Sequence, residues 1–305
     1  MKNHRETIEL TLMALPAALW FFFFAYLPLT GMVLAFTEYR FSADGFWASL
    51  FQSDWIGFKN FEWLFATPDG WLIVRNTVLY NLGFIALGLL LSVAFALMMS
   101  ELRNKKAAKV YQTMMFLPYF LSWVIVSYFV YTFLNVDEGL LNQLAVALGG
   151  QPVAWYQTPE AWPFILVLCN LWKSIGYASV VYLAAIVGID KELYEAAALD
   201  GAGRGRQITA ITLPSLKPMM IILTVLALGG IFRSDFGLFY QVPRNSGPLF
   251  PVTGVLDTYI YNGLKHMGEI GMSTAAGLYQ SVVGLVLILA ANAVVRRVDS
   301  SNAVF

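Results

Sequence analysis

Six uninterrupted apolar runs, each long enough to cross the hydrocarbon of a bilayer, constrain this chain more than any other feature. They lie near Leu12–Phe36, Leu72–Met99, Val110–Leu134, Trp162–Val187, Pro218–Phe239 and Met272–Val295. A spanning helix needs about 20 such residues. A membrane barrel would show short alternating segments instead. The expectation is an all-α integral membrane protein, a bundle of six transmembrane helices in one domain, residues 1–305. Composition agrees: 58% of residues are hydrophobic and 12% charged, against about 25% charged in soluble domains. The first run continues past Trp20 to Phe36, and no small-residue cleavage site closes a short apolar core. It reads as a retained span and not as a signal peptide.

Basic residues orient the bundle. Lys2 and Arg5 precede the first run. Arg103, Lys105, Lys106 and Lys109 follow the second, Lys191, Arg204, Arg206 and Lys217 the fourth, and Arg296 and Arg297 the sixth. The stretch between the third and fourth runs has Asp137, Glu138 and Glu160 but no Lys or Arg. The positive-inside rule places both termini in the cytoplasm. A formal net charge of zero argues against a nucleic-acid partner. The single cysteine, Cys169, excludes an internal disulfide, and His4 and His266 are far apart in sequence. No metal site and no bound cofactor are expected. The first outer connection, about Thr37 to Trp71, is rich in aromatics, including Trp47, Trp55, Phe58 and Trp63. Two readings fit: an aromatic belt at the interface, or a docking surface for an external partner.

The segment 189–217, between the fourth and fifth runs, is the most informative. Asp190 can cap a short helix, and Glu192 to Leu199 are good helix formers. Gly201 can take the left-handed conformation that ends a helix. A second short helix is expected from about Arg206 to Leu213, with Pro214 and Pro218 at the entry to the next span. Gly201-Ala-Gly-Arg-Gly205 is not a phosphate loop: no strand precedes it, and Gly-x-x-x-x-Gly-Lys-Ser/Thr is absent from the chain.

Glu195-Ala196-Ala197, Asp200-Gly201-Ala202 and Ile211-Thr-Leu213-Pro214 stand at the spacing of the EAA loop of bacterial ABC importer permeases, and the segment resembles that loop. Ile208 and Gly205 depart from it, standing where bulky aromatics are common. The resemblance implies that Glu195, Ala196, Ala197, Asp200, Gly201, Arg204, Leu213 and Pro214 belong to an element docking on a separate ATPase. It extends further. Ile56-Gly-Phe-Lys-Asn-Phe-Glu-Trp-Leu-Phe65 is similar to the first outer loop of sugar permeases of the maltose-transporter membrane-subunit type. Phe232–Tyr240, Gly254–Tyr261 and Thr274–Ser281 resemble the branch that imports oligosaccharides and polysaccharide fragments.

These likenesses imply a non-catalytic permease subunit in the bacterial cytoplasmic (inner) membrane, in contact with lipid. They also imply a second permease subunit, favoured as a heterodimer, two ATP-binding subunits carrying ATP and Mg, an external solute-binding protein and an oligosaccharide substrate. A non-sugar solute is the alternative. An intramembrane enzyme would need a nucleophile–base or metal constellation, and a channel a filter or pore ring; the sequence displays neither.

Ionisable residues at membrane depth are costly and call for a reason. Lys173 lies about 11 residues into the fourth run. Either it snorkels or pairs with a carboxylate, or it lines the translocation path with Asn170, Trp172 and Tyr177. Arg233 and Asp235 close the fifth run, as structural anchors or as substrate contacts. Two residues apart, they do not face each other on a straight helix, so a break or separate partners is expected.

Overall fold

The computed structural model describes residues 2–298; Met1 and residues 299–305, the ends of the expected domain, lie outside the described residues. The chain is nearly all helical. Among the described residues the one sheet is a two-residue antiparallel pair, Thr37–Glu38 with Asp54–Trp55. Five helices are long and apolar enough to cross a membrane: Thr7–Phe36, Pro68–Ser100, Pro159–Val187, Arg204–Gly229 and Ile270–Arg297. The sixth candidate is a bent pair, Lys106–Phe120 and Trp123–Leu134, which meet at 99°.

Two elements depart from the sequence expectation. The third run, 110–134, is not one straight helix. Leu117–Phe120 tightens to a 3-10 turn with Pro118 in it, and Leu121 and Ser122 are extended, with ψ of 134° and 151°. Ser122 Oγ then accepts from the Ile125 N–H at 3.3 Å and caps the new helix. The fifth run, 218–239, is displaced toward the N-terminus. Its helix begins at Arg204, passes through a π turn at Ile208–Thr212 and stops at Gly229. The Gly229-Gly230 pair favours that stop. No separate Arg206–Leu213 helix forms, because this segment is continuous with the span.

The chain divides into two compact units, Met1–Thr67 with Ile260–Tyr279, and Pro68–Tyr259 with Gln280–Phe305. In the first, Asn60 ties the chain after the opening span: its Nδ2 donates to Ala35 O at 3.1 Å and Thr37 O at 2.9 Å. Phe36 stacks on Trp55 at 5.5 Å and meets Phe58 and Phe61 edge-on or tilted. Trp55 and Phe58 remain largely exposed.

The second unit holds the core. Helix Pro68–Ser100 packs along helix Trp162–Val187. Around one end, Val126, Trp162, Leu166, Phe239 and Val255 are buried together; around the other, Val93, Ala96, Tyr182 and Leu216. Glycine sets the closest crossing. A Cβ on Gly176 would lie 1.8 Å from Met115 O, so helices Trp162–Val187 and Lys105–Phe116 touch backbone to backbone. Leu79, Leu90, Phe164, Leu168, Leu285 and Leu289 point outward, as lipid-facing positions do.

Candidate functional site

Two places in the second unit combine the residues singled out by sequence. The first is the knob between the fourth and fifth spans. Asp190 caps helix Lys191–Leu199 by accepting from the Glu192 N–H at 3.0 Å. Gly201, at φ +77°, ends it. Gly201 N–H bonds Ala198 O at 3.1 Å and Ala202 N–H bonds Ala197 O at 2.8 Å, the paired bonds of a Schellman cap. The returning chain is pinned by Gln207 Nε2 to Ala202 O at 3.1 Å and by Tyr194 OH with Thr212 Oγ1 at 2.9 Å.

The knob helix buries no residue. Glu195, Ala196 and Asp200 face solvent, Ala197 is half-buried, and Leu199 is 90% exposed. Arg204 pairs with Glu101, just past helix Pro68–Ser100. That pair puts the basic loop after the second span and the knob on one face of this unit. Leu213 packs against the Val93–Leu216 core, and Pro214 is exposed.

The second place is where two helices break. The break at 117–122 interrupts the helical hydrogen-bond ladder, although Pro118 O still accepts from the Leu121 N–H at 3.1 Å. Lys173 reaches the break: its Nζ donates to Tyr119 O at 2.6 Å and to Pro118 O at 3.4 Å. The ammonium also lies 5.5 Å from the Tyr119 ring and 5.4 Å from the Trp123 ring, within cation–π range. Trp123 Nε1 donates to Asp235 Oδ2 at 2.6 Å. Asp235 Oδ1 accepts from the Leu238 N–H at 3.3 Å, and its charge attracts Lys173. Gly237 makes room for this, since a Cβ there would sit 2.2 Å from Trp123 Cδ1.

The break after Gly229 is satisfied in the same way. Asn81 Nδ2 donates to Ile231 O at 2.9 Å, and Gln280 Nε2 donates to Phe232 O at 2.7 Å. Asp257 Oδ2 accepts from the Ser234 N–H at 2.6 Å. Burial raises the Asp257 carboxyl above its ordinary range; the bonds from Ser234 and Gln280 and the charge of Arg233 oppose that. Irregular backbone at membrane depth survives only when protein groups meet its polar atoms.

The sequence candidates are thus sorted. Lys173 and Asp235 come together through Trp123. Tyr177 joins their edge by stacking on Tyr119, centroids 4.4 Å apart and planes 11° apart. Trp172 lies apart, on a cavity of about 400 Å³ with Leu121, Phe129 and Cys169, whereas Tyr177 lines another of about 350 Å³ with Phe84, Ser92 and Thr224. Asn170 is half-buried, and its carbonyl accepts from Ser174 Oγ at 2.7 Å. Arg233 is exposed, and its charge acts on Asp257. Tyr119 and Trp123 were missed; Pro118 followed by Ser122, a proline and then a capping residue, was the available signal.

Known proteins similar to this chain cover nearly all of it. The chain is 34% identical over 94% of its length, and 88% of the relative's, to the polygalacturonan/rhamnogalacturonan transport system permease protein YteP of Bacillus subtilis (strain 168). It is 33% identical over 96% of its length, and 90% of the relative's, to Protein LplB of the same organism. Among solved structures it superimposes with a TM-score of 0.88, at 34% identity and 98% coverage of both chains, on a chain of a bacterial ABC transporter involved in the import of the acidic polysaccharide alginate. Residues 88–300 match the family described as binding-protein-dependent transport system inner membrane component. With more than half of its length matched, including both helix breaks and the knob, the chain belongs to the family of binding-protein-dependent transport system inner membrane components.

Proposed function

We propose that this chain is the non-catalytic permease subunit of an ABC importer that carries acidic oligosaccharides, and that the knob Asp190–Ala202 couples it to a separate ATPase. The observation that supports this most is the knob itself. It is rigidly capped at both ends, carries no buried residue and presents Glu195 and Leu199 outward. A helix built so firmly with nothing of its own to cover is made to be held by another protein. Glu195, Ala196, Ala197, Asp200, Gly201 and Arg204 form that element, with Leu213 and Pro214 joining it to the fifth span.

Two of the relatives support the acidic substrate class. One is named for polygalacturonan and rhamnogalacturonan and another for alginate, polymers that contain carboxylate-bearing uronic acid units. A related structure holds a binding protein loaded with alginate pentasaccharide. By the same reading, this subunit works beside a second, different permease subunit, two ATPases carrying ATP and Mg, and an external binding protein. Both termini and the knob face the cytoplasm, in keeping with the basic residues there. ATPase closure pulls the knob, and the two broken spans let the path open alternately to each side.

A cross-link tests the coupling. Cys169 is buried, so Leu199→Cys supplies an exposed thiol on the knob. In membranes holding the whole transporter it is expected to cross-link to the ATPase subunit, with a yield that changes on adding ATP. Cross-linking to the external binding protein, or reaction with an impermeant thiol reagent from outside, would contradict the reading.

A further inference from the structure

We infer that Lys173 is a specificity-determining residue that reads a carboxylate on the transported sugar, and that Asp235 is the internal anion holding its place between substrates. This rests on the import of acidic oligosaccharides proposed above and deepens it. An ammonium has three donors. Two point at Tyr119 O and Pro118 O, which leaves one for an anion. Charges at membrane depth pair with opposite charges or with backbone carbonyls; the two carbonyls hold the ammonium here but carry no net charge to neutralise it.

The nearby anion is Asp235, and it is held to one side. Each of its two oxygens is already engaged, one by Trp123 Nε1 and the other by the Leu238 N–H. It attracts Lys173, but no ion pair forms between them within 4 Å among the described residues. The ammonium is thus anchored, partly charge-balanced and open to a stronger partner. Around it the surface suits a sugar. Tyr119 and Tyr177 are stacked on each other and more than a third exposed. A uronate can lay an apolar ring face there and direct its carboxylate to Lys173. A charge-assisted bond to a substrate carboxylate is stronger than the carbonyl contacts alone. When the substrate leaves, Asp235 again balances the lysine.

The test compares two probes on the complete transporter, reconstituted with its ATPases and binding protein: trigalacturonate and its fully methyl-esterified form, which keeps the rings and removes the charge. The binding protein's own preference is common to every variant, so changes in the acid-to-ester uptake ratio report on this subunit. In the wild type the acid is expected to exceed the ester at least tenfold. Lys173→Met is expected to lower acid uptake about tenfold and leave ester uptake nearly unchanged, so that the ratio collapses. Lys173→Arg, which keeps the charge, should hold most of the ratio. If Lys173→Met lowers both probes equally, the lysine only caps the helix break and the inference falls. If it lowers neither, the inference falls as well. Should the wild type take up neither probe, the import reading itself fails and this inference with it.

Discussion

Replacing Gly176 with alanine is expected to disrupt the membrane bundle, although only one methyl group is added. That methyl would lie 1.8 Å from Met115 O and 2.9 Å from the Phe116 nitrogen. Both neighbours are backbone, so no side chain can rotate aside. Helices Trp162–Val187 and Lys105–Phe116 must therefore separate. Overpacked sites cost roughly 1–3 kcal/mol and sometimes more, and a backbone-to-backbone clash belongs at the upper end. The consequence reaches the functional site, because Lys173 stands one turn away on the same helix. Its 2.6 Å bond to Tyr119 O depends on that crossing. Thermal denaturation in detergent should show a large loss of stability for Gly176→Ala. The same change at Gly83, where a Cβ meets nothing within 4 Å, should be silent. Equal melting of the two variants would mean the helices do not cross at Gly176.

The second large effect is expected at Gly201, by a different route. Here a Cβ would meet nothing within 4 Å, yet φ is +77°. A β-branched residue does not adopt that conformation readily, and left-handed backbone costs an L-residue about 1–2 kcal/mol or more. Gly201→Val should therefore undo the cap made by Gly201 and Ala202 and redirect the chain between the knob and Arg204. Nothing in the core is touched, so the subunit should fold and assemble. What should vanish is stimulation of ATP hydrolysis by loaded binding protein, together with uptake. Gly205→Ala, at an open position without positive φ, is the matched control and should behave as wild type. Normal stimulation in Gly201→Val would remove the knob from the coupling pathway.

These two glycines also show how far the sequence could be read. Gly201 was legible because its role is local. A capping Asp190, a run of helix formers and a glycine two residues past the last helical residue state the whole motif within a dozen residues. The apolar runs were legible for the same reason, since bilayer thickness dictates their length. Gly176 was not, because its constraint comes from Met115, on another helix. The break at 117–122 was hidden by its apolar composition: membrane spans tolerate proline, so Pro118 alone did not announce a bend. The early end of the fifth helix at Gly229 was obscured in the same way, because the residues after it, through Phe239, are mostly apolar yet non-helical up to Asp235. Lys173 and Asp235 each drew attention as charges at depth. Their meeting through Trp123 spans 112 residues from Trp123 to Asp235, and periodicity carries no such information. Asp257 and Gln280 lay within segments that resembled the oligosaccharide branch, but their task of satisfying broken backbone follows only from the fold.

On the reading proposed above, this subunit forms the path of an ATP-driven importer for carboxylated oligosaccharides. The most direct measurement is uptake of labelled trigalacturonate into proteoliposomes that contain the complete transporter, with binding protein outside and ATP inside. Accumulation is expected to require both ATP and binding protein and to be lost in Gly201→Val. Accumulation that proceeds without ATP, or that survives intact in Gly201→Val, would contradict that reading.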